Sequence, residues 1–414
     1  MNNKPIKVLT TYIFILVLIN FPRADDVKWI GNLRYRVLQD KNSAEGATSS
    51  LSEMRSRFGF SMGFGKTSSS FILQESMVIG EESNYSGVTS RPPSPFLYEV
   101  SFKIQDFLLE NVSCQFGRFE LALGNQRIIS KNNWNSTGRT FEGFLISENL
   151  FDKFDFKTFS FGINEKINDY HDDRKDSWLN GVYLTSEITP LDKSSYELYF
   201  IDFTNSEDID SYTTVGARID ANLSLFDLEG EYAIQTGENI SSSNLLSLNL
   251  GFQPKNIPYL NNITFGFDYV SGDDSSTNSL EGFSKFFGAR HKFHGFYDYG
   301  LHKSFMNHSH DGLRELNAKI YLNLLFKSKL LIAVHNFKSG INDINYGNEI
   351  DFIVKRNISD HLSFESGLAL YKPSASLAAG SGGTETGFPF AGSESIEDKD
   401  LLYFSYLALT ANFK

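Results

Sequence analysis

Between Val27 and Phe413 the chain divides into short stretches in which apolar and polar residues alternate with a period of two. The clearest places Ile263, Phe265, Phe267 and Tyr269 on one parity and Thr264, Gly266 and Asp268 on the other. The same separation recurs in Phe58, Phe60, Met62 and Phe64 against Arg57, Gly59, Ser61 and Gly63. It recurs again in Leu362, Phe364, Leu368 and Leu370 against Ser363, Glu365 and Gly367. Successive side chains of a strand point to opposite faces, so the pattern predicts strands with one apolar and one polar face. A soluble sandwich alternates too, but about eighteen strands of roughly ten residues exceed what a sandwich uses.

The gaps between these strands are alternately long and short. The longer set falls at 39–50, 80–95, 122–139, 165–176, 204–211, 235–243, 271–313, 339–344 and 373–399. The shorter set falls near 66–68, 106–111, 150–153, 187–193, 223–224, 254–260, 327–328 and 357–360. A membrane barrel with both ends in the periplasm has long loops on one rim and tight turns on the other. The fold class expected is therefore all-β, a transmembrane antiparallel β-barrel of about eighteen strands, with about sixteen as the alternative count.

The first residues agree with that destination. Lys4 and Lys7 precede an apolar run from Tyr12 to Ile19, and Ala24 closes the segment before Asp25 and Asp26. This predicts a signal peptide over 1–24 and a barrel over 25–414, delivered to the outer membrane of a Gram-negative cell. No later run approaches the roughly 20 apolar residues of a spanning helix. The chain nevertheless carries 38 Phe and 19 Tyr at a mean hydropathy of -0.26, as a wall of lipid-facing and water-facing residues requires. The single cysteine, Cys114, forms no internal disulfide and reads as a small wall residue. Tyr403, Leu407, Leu409, Ala411 and Phe413 share one parity and resemble a closing strand, with Lys414 after the aromatic residue. The partners expected are the lipid bilayer and lipopolysaccharide, the barrel-assembly machinery and a hydrophilic or anionic solute. Neither nucleic acid nor a cofactor is expected, and the barrel is expected to be a monomer.

One segment points to a family. It reads Gly117-Arg118-Phe119-Glu120-Leu121, then Gly124-Asn125-Gln126-Arg127, Trp134-Asn135 and Gly138-Arg139-Thr140-Phe141-Glu142-Gly143. This resembles the alginate export family of outer-membrane barrels, and two further pieces match in order. Tyr269-Val270-Ser271-Gly272-Asp273-Asp274 is similar to the family's Ser-Gly-Asp-Asp turn, and Gly347-Asn348-Glu349-Ile350-Asp351 is similar to its Gly-Gln-Glu-Leu-Asp strand start. The resemblance covers nearly the whole mature chain and implies the fold more firmly than the cargo, because the family holds a polysaccharide exporter and many porin-like channels.

A pore for anionic solutes needs cationic groups along its lumen, and Arg supplies them through a rigid fork of donors. Parity sends Arg34 and Arg36 inward between Leu33, Tyr35 and Val37, Arg55 and Arg57 inward opposite Phe58 and Phe60, and Arg218 inward beside Ala217 and Ile219. The family resemblance adds Arg118, Arg127 and Arg139 as constriction residues. Unbroken alternation from Val112, Cys114 and Phe116 would turn Arg118 outward, so a bulge near Gly117 is expected to bring it in. The competing reading is that these arginines brace the wall by pairing with Glu and Asp. Glu349, Asp351, Lys355 and Glu365 fit such a brace.

The net charge of -12 runs against anionic cargo only if it lines the pore. Much of it is assigned to loops: Asp169, Asp172, Asp173 and Asp176, then Glu207, Asp208 and Asp210, then Glu394, Glu397, Asp398 and Asp400. The loop at 271–313 holds His291, His294, His302, His308 and His310 at spacings that match no compact zinc pattern, and these are expected to be solvated. The glycine-rich loop at 373–399 would either fold into the mouth or stay mobile. No phosphate loop or nucleophile elbow is present in the sequence. The function expected is an outer-membrane porin passing small or oligomeric hydrophilic, anionic solutes by diffusion. The alternatives are an exporter of an anionic polysaccharide such as alginate and a non-conducting barrel for adhesion or membrane integrity. The exporter closes its pore with a long periplasmic turn before its penultimate strand, and here that turn, Asn357 to Asp360, is short.

Overall fold

The computed structural model describes residues 26–41, 48–79, 95–164, 176–186, 194–205, 211–289, 291–297, 307–374 and 401–413. They form eighteen strands. In chain order the first six are β1 (Asp26–Lys41), β2 (Thr48–Phe64), β3 (Thr67–Val78), β4 (Phe96–Gln105), β5 (Val112–Phe119) and β6 (Phe141–Leu150). Then come β7 (Phe154–Asn164), β8 (Ser177–Ser186), β9 (Ser194–Asn205), β10 (Tyr212–Asn222), β11 (Phe226–Thr236) and β12 (Ser243–Phe252). The last are β13 (Leu260–Val270), β14 (Leu313–Asn323), β15 (Ser328–Lys338), β16 (Asn345–Asn357), β17 (Leu362–Pro373) and β18 (Leu402–Phe413). Each pairs antiparallel with its neighbours in sequence, and β1 closes the ring on β18 from Gly31↔Phe413 to Lys41↔Tyr403. A closed barrel leaves no edge strand to pair with other chains and satisfies every ladder internally, which the bilayer demands.

The two faces follow the alternation. Trp29, Leu33, Tyr35, Phe58, Phe200 and Phe265 are exposed on the outside, where lipid covers them, while Arg34, Arg36, Arg55 and Arg218 are buried inside. The short gaps among the described residues are turns, including 358–361 between β16 and β17, while 187–193 lies outside the described residues. Of the acidic loop residues, all but Asp176 lie outside the described residues, as do residues 1–25, His302 and most of the glycine-rich loop.

The interior is not an empty pipe. The loop at 120–140 and the described parts of the loop at 271–312, residues 271–289, 291–297 and 307–312, fold into the lumen and bring Leu121, Leu123, Ile129, Phe283 and Phe287 against inward residues Phe119, Phe141, Phe161 and Phe203. Burying these side chains excludes water from the loop backbone, which then needs polar partners of its own. The barrel's inward polar residues supply them. In a ring of eighteen, the β1–β2 wall stands opposite the β10–β11 wall, so the two carry separate polar populations to the two sides of the lumen.

Candidate substrate path in the barrel lumen

Four arginines of the β1–β2 wall meet the loop 120–140. Arg34 donates to the carbonyls of Asn133 and Asn135 at 2.7 and 3.1 Å. Arg55, its cross-strand partner, donates to the same two oxygens at 3.1 and 3.4 Å. Arg36 pairs with Glu53, to which Ser136 of the loop also donates. Arg57 reaches Gln74 at 2.6 Å, Glu120 at 3.0 Å and the side chain of Asn133 at 2.8 Å, and its guanidinium lies 3.7 Å over the ring of Tyr98. Burial opposes the charge of Glu120, but hydrogen bonds from Tyr98 and Asn133 and the charge of Arg57 hold its carboxyl below the usual range. Positive φ at Gly124, Gln126, Asn132 and Gly138 turns this loop back on itself so that its carbonyls point at the wall.

The charges of this wall do not balance. Arg36 and Arg57 have carboxylate partners, whereas Arg34 lies 4.0 Å from Glu53, already paired with Arg36, and Arg55 has no carboxylate within ion-pair distance among the described residues. Arg55 Nε and Arg36 Nη1 are buried donors without an acceptor among the described residues. The wall borders a cavity of about 600 Å³ lined also by Lys131, Trp134, His291, Lys292 and Lys355. The opposite wall is acidic. Arg218 is enclosed there by Glu197 at 2.5 Å, Asp220 at 2.5 Å and Glu229 at 3.1 Å, beside a second cavity of about 410 Å³.

The remaining sequence-predicted arginines divide. Arg127 lies inside the lumen, 3.2 Å from Asp268 and 3.6 Å from Glu231. Burial disfavours its charge, and these acids more than restore it, so its affinity for a proton rises above the ordinary value. Arg139 donates to the backbone carbonyls of Phe286, at 3.0 Å, and Phe287, and so ties the two inserted loops together. Arg118 corrects the expectation. The β4–β5 and β5–β6 registers pass Gly117 without a shift, so no bulge turns the strand. Gly117 instead takes a φ of +112° where a Cβ would lie 2.3 Å from the Val100 carbonyl. Arg118 stays on the outer face with Phe116, paired with Glu142 at 3.0 Å. The loop histidines are a second correction, since His291, His294, His308 and His310 are buried.

The brace at the β15–β17 wall matches the parity reading. Lys355 pairs with Glu365 at 3.0 Å, and Asp351 faces His335 at 3.2 Å. Sequence reasoning missed Glu53, Lys285, Glu315 and His335, although the parity of Glu315 against Leu316 carried a signal for an inward acid. Asp268, His294 and Glu315 bring donor atoms together. Arg127, 3.2 Å from Asp268, and Lys285, 2.7 Å from His294, share that cluster.

A closed barrel of this strand number, narrowed by two inserted loops, defines a porin-like outer-membrane protein. Solved structures share the fold: OccAB4 from Acinetobacter baumannii at a TM-score of 0.61 and 10% identity, covering 94% of this chain and 99% of that one. OprD from Pseudomonas aeruginosa gives 0.59 and 12%, covering 94% and 95%. A BenF-like porin from Pseudomonas fluorescens gives 0.62 and 13%, covering 94% and 99%. No curated protein matches the sequence. Residues 100–385, more than half of the chain, match the family model for alginate export, and the protein belongs to that family.

Proposed function

We propose that this barrel is a diffusion channel of the outer membrane for small or oligomeric hydrophilic solutes that carry negative charge. The observation that supports it best is the surplus, among the described residues, of guanidinium over carboxylate at Arg34, Arg36 and Arg55, which all line the cavity of about 600 Å³. A carboxylate entering the adjoining cavity meets this positive charge as it loses water. Arg57 and Arg218 shape the same path while bracing the wall, and Arg127 and Arg139 hold the loops that narrow it. Reversal potentials of the purified protein in planar bilayers under a salt gradient test this reading. Anion preference is expected, and cation preference overturns it.

Export of an anionic polysaccharide is the second reading, favoured by the family. The turn at 358–361 is too short to fold up as a periplasmic plug, which supports an open channel over a gated exporter. Neighbouring genes for polymer synthesis and a periplasmic scaffold would favour the exporter.

A further inference from the structure

The segment 291–297 lies along the inner wall, and the groups that hold it there are ionisable and buried. Glu315 on β14 accepts from His294 Nδ1 at 2.6 Å on one oxygen and from His335 Nδ1 of β15 at 2.7 Å on the other. Asn317 of its own strand donates to it at 2.9 Å. His294 Nε2 meets Lys285 Nζ at 2.7 Å. Asp268 on β13 stands 3.7 Å from His294 Nδ1 and 3.2 Å from Arg127, which also faces Glu231 on β11 at 3.6 Å. From β16, Asp351 faces the far nitrogen of His335, and Glu349 accepts the backbone N–H groups of Phe296 and Tyr297, both at 2.7 Å. Gly295 has a φ of +80°, and a Cβ there would lie 2.5 Å from the Glu349 carboxylate, so only glycine lets the backbone sit on that acid.

These contacts fix the protonation of His294. Glu315 is surrounded by donors and accepts as a carboxylate, so His294 Nδ1 carries the proton given to it and the neutral ring leaves Nε2 to accept from Lys285. A second proton on the ring would sit on Nε2 and confront the lysine donor. Acid therefore breaks the contact by geometry. Burial acts in the same direction, since it lowers Lys285 to about 7 and pushes His294 below its ordinary value. Once released into water both regain their ordinary affinity for protons, so release takes up protons and acidification favours it. For Lys285 that window runs from 10.5 down to about 7, and for His294 it opens below 6.5.

We propose that the Lys285–His294 contact is a proton-sensitive latch: at neutral pH it keeps His294 seated on Glu315 and the segment 291–297 on the barrel wall, and on acidification a second proton on His294, set against the lysine, frees the segment to obstruct the lumen. Lys292 of this segment borders both lumen cavities, so a freed segment has space to enter on either side. The inference rests on the chain being a channel.

Single-channel recordings of the intact barrel at about pH 7.5 and about pH 5 test it, the two values lying either side of histidine titration. The wild type is expected to conduct quietly at neutral pH and to show severalfold more frequent closures in acid. His294→Asn keeps a donor for Glu315 and takes no second proton, so it is expected to stay quiet at both. Glu315→Gln is expected to flicker already at neutral pH, with heat-modifiable gel mobility showing that the barrel has formed. Wild-type gating that does not change with pH, or acid closures undiminished in His294→Asn, overturns the latch. Hydrogen exchange of 291–297, corrected for intrinsic rates, decides the matter without current. Acid-dependent loss of protection in the wild type but not in His294→Asn supports the latch, and equal protection overturns it. Loss of protection in a barrel that carries no current keeps the latch and sinks the channel reading.

Discussion

Arg34 and Arg55 face each other across the β1–β2 ladder, and both donate to the carbonyl oxygen of Asn133, at 2.7 and 3.1 Å. Like charges directly opposite on neighbouring strands repel, so the inserted loop is part of what allows this pair to exist. The same carbonyls leave the net positive charge in place for a solute. Replacing both arginines by glutamine is expected to move the reversal potential severalfold toward non-selective permeation while leaving the barrel folded. An unchanged anion preference would show that other cations set selectivity.

Glu53 is the shared anchor of Arg36 and Ser136. Removing one partner of a buried ion pair strands the other charge, at a cost of about 3–5 kcal/mol. Glu53→Ala is expected to lower the temperature at which the barrel loses its heat-modifiable gel mobility and to make the loop 120–140 accessible to protease. A melting temperature equal to the wild type would contradict the anchor.

Arg118 gives the contrasting case. Its side chain is 38% exposed and that of Glu142 61%, and exposed pairs contribute about 0–1 kcal/mol. Arg118→Ala is expected to leave both the reversal potential and the stability nearly unchanged. A large shift in ion selectivity would place Arg118 in the lumen after all.

Arg139 is expected to act through loop order rather than through charge. Arg139→Ala leaves the carbonyls of Phe286 and Phe287 without this donor, and an unsatisfied buried acceptor costs about 1–3 kcal/mol. The expected result is noisier current with unaltered ion preference. Arg139→Lys, which keeps the charge but not the two-pronged geometry, is expected to restore quiet conduction only in part.

Alternation along the chain determined the strands, their number and the inward placement of Arg34, Arg36, Arg55, Arg57 and Arg218, because period two is a property of the extended backbone and needs no distant partner. It was right at Arg118 too, where the expected bulge was the error: a glycine permits close approach without a change of register, and nothing local distinguishes the two. The charge of each wall residue was legible, but its partner was not. Arg127 bonds Ser247 at 2.7 Å, 120 positions away in sequence, and His294 bonds Glu315 across a loop that sequence alone reads as solvated. Only the tertiary structure carried those loops inside, because the apolar residues that draw them in, Ile129, Phe283 and Phe287, gain burial only once the closed barrel provides an interior to fill.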